Sequence, residues 1–219
     1  MENGKKSLKI AVVLLGLFVL WTWLLQTVDV RPAGETATAV GFATVNAWFH
    51  RLTGIHMALY TVTDWLGLIP VSVCGLFAAV GAAQLWKRKS LRRVDPDLLL
   101  LGGYYTLVIL CYLGFEAVPV NYRPVWIEGR LEASYPSSTT LLVLSVMPTL
   151  VLQTNRRVKR PLAKRAIAIL SMVFSAAMVW GRLLSGVHWL TDILGSLLLS
   201  AGLFSLYRAG VLLWCDKTH

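Results

Sequence analysis

The residues best suited to chemistry stand in one short segment, residues 181–192, which combines an arginine, a histidine and an aspartate. Arg182, His188 and Asp192 follow each other as R-x5-H-x3-D. On a helix beginning near His188, residues four apart share a face, so the Asp192 carboxylate would lie beside the imidazole. A carboxylate at one ring nitrogen fixes the tautomer and leaves the other nitrogen free to attack an electrophile. Arg182 could hold two phosphate oxygens. The alternative is a structural contact that ties two helices together.

A second polar segment, residues 120–140, supplies further groups of the kind that bind phosphate. It contains Arg123 and Arg130 and closes with Ser137, Ser138 and Thr139. Serine and threonine are good N-cap residues, and the free backbone N–H groups at a helix start favour an anion. An ordinary capped loop would explain the hydroxyl residues but not both arginines. The two segments together therefore predict a phosphate site, provided that they lie at the same end of the molecule.

The elements that must position these segments are membrane-spanning helices. The chain has 219 residues, 56% of them hydrophobic and 15% charged, and its mean hydropathy is +0.63. A soluble domain of this length could not bury so much apolar surface. Since about 20 residues cross a hydrocarbon core of about 30 Å, the apolar runs predict six spans, at roughly residues 9–27, 66–86, 98–119, 137–154, 165–184 and 189–209. The predicted fold is an all-α, polytopic six-helix bundle, with residues 1–219 forming a single membrane domain.

The net charge of +10 follows the loops rather than a nucleic-acid groove. Lysines and arginines cluster before the first span, after the second (residues 87–93) and after the fourth (residues 156–165), which is the positive-inside pattern. This pattern predicts cytoplasmic amino and carboxyl termini and places residues 120–140 and 181–192 together at the outer face. We expect an integral protein of a bacterial inner membrane with no nucleic-acid partner.

The amino-terminal third carries two features that need interpretation. The apolar run at residues 10–25 is either a retained span or a signal peptide. Its length slightly exceeds the roughly 7–15 residues of a signal core, which favours a retained helix. Residues 45–69 place apolar residues at mixed helical spacing with tryptophans towards both ends, which predicts an amphipathic helix at the outer interface after the first span. His50 and His56 fall within it, six residues apart, and interfacial packing is their expected role.

Taken together, these residues resemble the type 2 phosphatidic acid phosphatase superfamily, whose motifs read K-x6-RP, PSGH and SR-x5-H-x3-D. Arg123-Pro124 matches the end of the first motif, and Pro136-Ser137 matches the start of the second. Arg182, His188 and Asp192 match the third motif at its full spacing. The resemblance covers roughly residues 100–209, and the preceding helices fit the six-span layout of the family.

The resemblance implies a mechanism and a set of roles. His188 would be the nucleophile that forms a phosphohistidine, and Asp192 would orient it. Arg123 and Arg182 would bind the phosphate, with Ser137 and nearby backbone amides assisting. Neither a metal nor another cofactor is implied, and the sequence lacks an HExxH motif or clustered carboxylate ligands.

This chain departs from the family pattern at three points. Glu116 stands where the first motif has lysine, and Gly181 replaces the serine before Arg182. Ser138 and Thr139 replace the glycine and histidine of the second motif. The family's histidine is thought to protonate the leaving alkoxide, and threonine cannot act as an acid near neutral pH. Loss of a general acid typically costs about 10²- to 10⁴-fold in rate.

Three explanations of these departures compete. The substrate is a diphosphate or phosphodiester whose leaving group needs less protonation, or another acid substitutes, or the protein binds phospholipid headgroups without turning them over. The candidate replacement acids are Glu116, Glu128 and Glu132, together with His50 and His56 of the interfacial segment.

The intact R-x5-H-x3-D favours an enzyme over a binding protein. The first hypothesis is a membrane lipid-phosphate phosphatase, or a phosphotransferase, acting on a lipid mono- or diphosphate at the outer leaflet. The second is a non-hydrolytic headgroup-binding protein or a transporter subunit. A transporter would more often show paired spans broken by Gly or Pro, and Pro70 and Pro148 form no convincing pair. The expected partners are the lipid substrate and the bilayer.

Overall fold

The computed structural model describes residues 1–215. Within this range the chain is almost entirely helical, apart from one short hairpin and the loops at one end. The helices are α1 (Glu2–Thr27), α2 (Ala43–Thr53), α3 (Met57–Leu66), α4 (Leu68–Arg88), α5 (Pro96–Ala117), α6 (Ser138–Arg157), α7 (Pro161–Leu184) and α8 (Leu190–Leu213). The hairpin pairs β1 (Arg31–Ala33) with β2 (Thr38–Val40), and a single 3-10 turn covers Leu91–Arg93.

Five helical stretches of the described chain are long and apolar enough to cross a membrane. They are α1, the stretch Met57–Arg88 that α3 and α4 form together, α5, α7 and α8. The fold is therefore that of an integral membrane protein, as the hydropathy predicted, and the helix ends lie within a few residues of most predicted limits. Helix α6 coincides with the predicted fourth span but is more polar than the others. The count of six spans stays a prediction.

Helix α8 lies at the centre of the bundle and packs against α1, α5, α6 and α7. Small residues let its neighbours approach closely. A Cβ atom on Gly202 would lie 2.8 Å from the side chain of Leu15, and one on Gly4 would lie 2.6 Å from Leu213. Helix α1 thus runs along α8 for most of its length. This packing fixes the start of α8, where Asp192 lies.

Large apolar side chains cover the outside of the bundle. Val12 and Val19 on α1, Ile109 on α5 and Leu170 and Met172 on α7 are between 54% and 67% exposed. A soluble protein rarely leaves so many large apolar groups in water, whereas lipid tails are a suitable environment for them. The apolar exterior therefore agrees with a bundle that is surrounded by lipid.

Residues 43–66 are largely helical, as predicted for residues 45–69, but the prediction of one continuous helix there is wrong. The chain breaks after α2 because Gly54 adopts a positive φ of 70°. The turn at Gly54 then packs against the α7–α8 connection. A Cβ atom on Gly186 would lie 2.0 Å from the Gly54 carbonyl oxygen, and the His56 N–H donates to the Ser185 carbonyl at 2.9 Å.

The hairpin of β1 and β2, which the sequence did not predict, packs against the loop that carries Arg123. The Glu35 N–H donates to the Pro124 carbonyl at 2.8 Å, and the Thr36 hydroxyl donates to the Arg123 carbonyl at 2.9 Å. The β1–β2 hairpin, the loop that carries Arg123 and the α7–α8 connection thus lie together where α6 and α8 begin. We call this end of the bundle the site end.

Candidate active site

The three residues of the R-x5-H-x3-D segment come from three different local structures. Arg182 lies in the last turn of α7, His188 lies in the connection between α7 and α8, and Asp192 lies in the first turn of α8. All three are buried, with at most 3% of each residue exposed. Because α8 begins at Leu190, His188 precedes the helix, and the expectation that His188 and Asp192 share one helical face is wrong.

The imidazole of His188 is held by a backbone carbonyl. Its Nδ1 lies 3.1 Å from the Ser134 carbonyl oxygen and 3.8 Å from Oδ2 of Asp192. Since a carbonyl oxygen only accepts, Nδ1 carries the proton and Nε2 keeps its lone pair. Nε2 lies 3.4 Å from Nη2 of Arg182. Burial lowers the pKa of His188 well below its usual value, and the charges of Arg123 and Arg182 lower it further. The ring is therefore neutral, with its free nitrogen directed towards a guanidinium.

Asp192 makes its shorter contacts with other groups. Its Oδ2 accepts a hydrogen bond from the Trp189 backbone N–H at 2.9 Å, which caps the start of α8. Its Oδ1 accepts a hydrogen bond from Nδ2 of Asn121 at 3.1 Å. The carboxylate thus joins the α7–α8 connection to the loop that contains Arg123. Asp192 therefore helps to position His188 through these two hydrogen bonds as well as through the 3.8 Å contact with the imidazole.

Arg182 is anchored by α3, which the sequence did not connect with the site. Its Nη1 lies 3.4 Å from Oγ1 of Thr63 and 3.7 Å from Oδ1 of Asp64. The guanidinium carbon lies 4.8 Å from the centre of the Tyr60 ring, and that of Arg123 lies 5.6 Å from the same ring. Both distances fall within the range of cation–π attraction. Tyr60 therefore contacts both arginines.

Arg123 lies in an extended loop that folds back on itself. Its backbone N–H donates to the Glu132 carbonyl at 3.0 Å, and its Nη2 lies 3.1 Å from Oε2 of Glu132. The tip of the loop is a tight turn in which Glu128 and Gly129 both have positive φ. Nε and Nη1 of Arg123, and Nε of Arg182, have no hydrogen-bond partner among residues 1–215. Two buried guanidinium groups thus keep free donors at the site end.

The hydroxyl residues at the start of α6 separate into different environments. The Ser137 hydroxyl is fully buried and donates to Oγ1 of Thr140 at 3.0 Å. Thr139 is buried and its methyl group faces Gly67. Ser138 lines the cavity beside His188. Of the three residues predicted to bind phosphate here, Ser138 lines the cavity and Ser137 and Thr139 are buried.

A cavity of about 440 Å³ opens beside His188. Its walls come from the end of α5, the loop between α5 and α6, and the first residue of α6. They are formed by Tyr112, Phe115, Glu116, Pro119, Tyr122, Arg123, Arg130, Leu131, Glu132, Ala133, Tyr135, Pro136, Ser138 and His188.

The candidate acids differ in whether they line the cavity. Glu116 and Glu132 line it, whereas Glu128 lies in the exposed turn at the loop tip. His50 and His56 bind backbone carbonyls elsewhere, those of Gly186 at 3.1 Å and Thr53 at 2.9 Å. Among residues 1–215 no three His, Cys, Asp or Glu side chains are grouped so that they could hold a metal ion.

Sequence reasoning missed several groups that shape the site. Ser134 contributes a backbone carbonyl, which leaves no trace in a side-chain pattern. Tyr60 and Thr63 lie more than a hundred residues before Arg182 in the chain. Asn121 was the one member that the sequence could indicate, because its amide side chain lies two residues before Arg123. The structure shows that this residue is buried.

The fold and the site define the protein as an integral membrane protein with a histidine and two arginines buried at one end of a helical bundle. The family model of the PAP2 superfamily matches residues 90–212, which include every candidate residue from Glu116 to Asp192. This chain belongs to the PAP2 superfamily.

A solved structure agrees in overall fold. It is the crystal structure of the first transmembrane PAP2 type phosphatidylglycerolphosphate phosphatase from Bacillus subtilis, with 18% sequence identity and a TM-score of 0.53. The match covers 95% of this chain and 96% of that chain. No curated protein sequence matches.

Proposed function

We propose that this protein removes phosphate from a lipid mono- or diphosphate through a phosphohistidine at His188. The observation that carries the proposal is the state of the imidazole. Its Nδ1 is held by the Ser134 carbonyl, and its unprotonated Nε2 faces the Arg182 guanidinium beside a cavity. A neutral, oriented imidazole with a free lone pair is the form that attacks phosphorus.

The proposed reaction has two steps. In the first, Nε2 forms a bond to phosphorus, the bond from phosphorus to the lipid oxygen breaks, and that oxygen takes a proton. In the second, water attacks the phosphohistidine, the P–N bond breaks, and inorganic phosphate leaves. The free donors of Arg123 and Arg182 would hold the phosphate oxygens as charge moves onto them. Ser138 would add a hydroxyl donor.

The proton donor for the leaving oxygen would come from the cavity wall. Thr139 is buried against Gly67, whereas Glu116 and Glu132 line the cavity. Glu132 forms an ion pair with Arg123. The basic loops at the other end of the bundle support a site that faces outward from a bacterial inner membrane.

The test is phosphate release from lipid mono- and diphosphates by purified protein, with chelator present throughout. We expect His188→Ala to lower release by at least about 10³-fold. His56→Ala is the matched control, because His56 is exposed and hydrogen-bonds to its own turn. Brief reaction of the active protein should leave an acid-labile, base-stable phosphate on His188. Release that survives in His188→Ala would refute the proposal.

The replacement of the family's acidic histidine by Thr139 supports a second function. With threonine at position 139 in place of the family's histidine, the protein could bind lipid phosphate headgroups without hydrolysis, or pass the phosphate to an acceptor other than water. Binding of lipid phosphate by folded protein that releases none would establish the first variant. Label that moves from His188 to an added alcohol would establish the second.

A further inference from the structure

The cavity beside His188 has an unusual charge composition for a phosphate site. Two arginines, Arg123 and Arg130, line it together with two glutamates, Glu116 and Glu132. A site built for a phosphate group alone gains from uncompensated positive charge. Among the residues that line the cavity, the two carboxylates balance the two guanidinium groups, and His188 is neutral; Arg182 contacts His188 but does not line the cavity. The balance suits a ligand that carries charges of both signs.

The anionic part of such a ligand has a defined place. Arg123 is only 7% exposed, yet its Nε and Nη1 have no partner in the described part of the chain. Unpaired donors of a buried guanidinium are costly unless a ligand completes them. The same cavity contains His188. A phosphate group placed between Arg123 and His188 would satisfy these donors.

The part of the wall that α5 supplies has different chemistry. Tyr112, Phe115 and Glu116 occupy positions i, i+3 and i+4 on the last turns of α5, so they face the same side. Glu116 is exposed, and its carboxylate forms no hydrogen bond or ion pair with any of residues 1–215. Tyr122 lines the cavity as well. A free carboxylate among aromatic rings is the combination that recognises an ammonium group.

We propose that the cavity accepts a lipid phosphate that carries an ammonium group a few atoms from its phosphorus. The phosphate lies against Arg123 and His188, and the ammonium group lies against Glu116 and the neighbouring rings. This proposal rests on the phosphate site of the proposed function and names the class of lipid that the site binds. Two sources share the chemistry: a phosphodiester with an aminoalkyl headgroup, and a phosphomonoester of a lipid amino alcohol.

The test is binding to the turnover-deficient His188→Ala protein, measured with four short-chain lipids in two matched pairs. Phosphatidylethanolamine and phosphatidylglycerol form the diester pair, and a sphingoid base phosphate and phosphatidic acid form the monoester pair. We expect the ammonium-bearing lipid to bind about tenfold more tightly in at least one pair. The pair that shows the preference identifies the source.

Variants at Glu116 then test the assignment. Adding Glu116→Gln should abolish the preference, and adding Glu116→Lys should reverse it. Glu35→Gln is the matched control, since Glu35 is an exposed glutamate in the β1–β2 turn at the same end of the bundle. Equal binding within both pairs, or a preference that survives Glu116→Gln, would overturn the proposal. So would a Glu116→Gln variant that lowers phosphate release equally for all lipids and leaves the binding preference intact, because Glu116 would then be the general acid.

The outcome is separable from that of the proposed function. Wild-type protein that prefers ammonium-bearing lipids but releases no phosphate would sink the phosphatase and leave this inference standing. Wild-type protein that releases phosphate without any preference would do the reverse.

Discussion

Two groups of charged residues lie at opposite ends of the bundle and differ in how completely they are paired. At the far end, Arg157 donates to both oxygens of Asp97 at 2.9 and 3.0 Å, and Arg156 donates to the same carboxylate at 3.2 Å. At the site end, Arg123 and Arg182 keep donors without partners among residues 1–215. The 20 residues of α6 separate the two groups by about 30 Å.

The difference distinguishes a structural cluster from a binding site. A guanidinium that meets a carboxylate through two parallel bonds has its strongest donors satisfied and joins two helices. A buried guanidinium with free donors destabilises the empty protein and gains most when an anion arrives. We therefore expect substitutions at the site end to reduce turnover, and substitutions at the far end to reduce stability.

Among substitutions in these two groups of charged residues, the largest effect should follow from Arg123→Gln. Removing the guanidinium should lower phosphate release by about 10²-fold, because the donors that meet the developing charge are lost. The thermal midpoint should stay the same or rise, since an incompletely paired buried charge is removed. Release and thermal unfolding are measured on the same purified sample.

Arg157→Gln serves as the reciprocal variant for this measurement. It removes a guanidinium whose partners are complete, so its folded fraction should keep near-normal turnover. A loss of turnover in Arg157→Gln as large as that in Arg123→Gln, at equal folded fraction, would break the distinction between the two groups.

A smaller effect, on stability, is expected from Asp97→Asn. Asp97 is 4% exposed and accepts hydrogen bonds from both Arg156 and Arg157. Neutralising it should lower the free energy of unfolding by about 1–3 kcal/mol, since the arginines remain partly exposed to water. Thermal unfolding in detergent measures the change. Turnover per folded molecule should remain within about twofold of the wild type, and a selective loss of turnover would contradict the structural role.

The smallest effect concerns pH. Burial, and then the charges of Arg123 and Arg182, lower the pKa of His188, so the attacking neutral imidazole persists at pH values below the usual histidine range. Activity should therefore decline only in more acidic solution than an ordinary histidine would allow. In Arg123→Gln one lowering charge is absent, the pKa rises, and the acid limb of the residual activity should shift to higher pH. A limb that stays in place or shifts to lower pH would count against His188 as the nucleophile.

The sequence predicted the helices more completely than it predicted the contacts within the site. Hydropathy located most of the helices, because apolar runs of span length have few other uses. The spacing of Arg182, His188 and Asp192 identified residues that the structure brings together. It could not show that the Ser134 carbonyl is the nearest acceptor of the His188 N–H, since a backbone group carries no side-chain signal.

Local turns account for the other differences. Glu128 and Glu132 look equivalent in the sequence, but the tight turn at Glu128 leaves it exposed while Glu132 lines the cavity. Gly54 breaks a helical pattern that hydropathy alone would continue. Both outcomes depend on positive φ values, for which a single glycine or a neighbouring residue is a weak indicator.

The polarity of α6 bears on how the chain is inserted into its membrane during synthesis. Polar groups of α6 contact other helices: the Tyr104 hydroxyl donates to the Ser145 carbonyl, the Tyr105 hydroxyl lies 2.7 Å from Oγ1 of Thr149, and Gln153 donates to the Tyr207 hydroxyl. Alone in lipid, α6 would expose these groups without their interhelical partners. Since Tyr207 lies on α8, the Gln153 amide gains this hydrogen bond only when α8 has been made. We therefore expect α6, which begins at the site end, to become stably embedded late, after translation of α8.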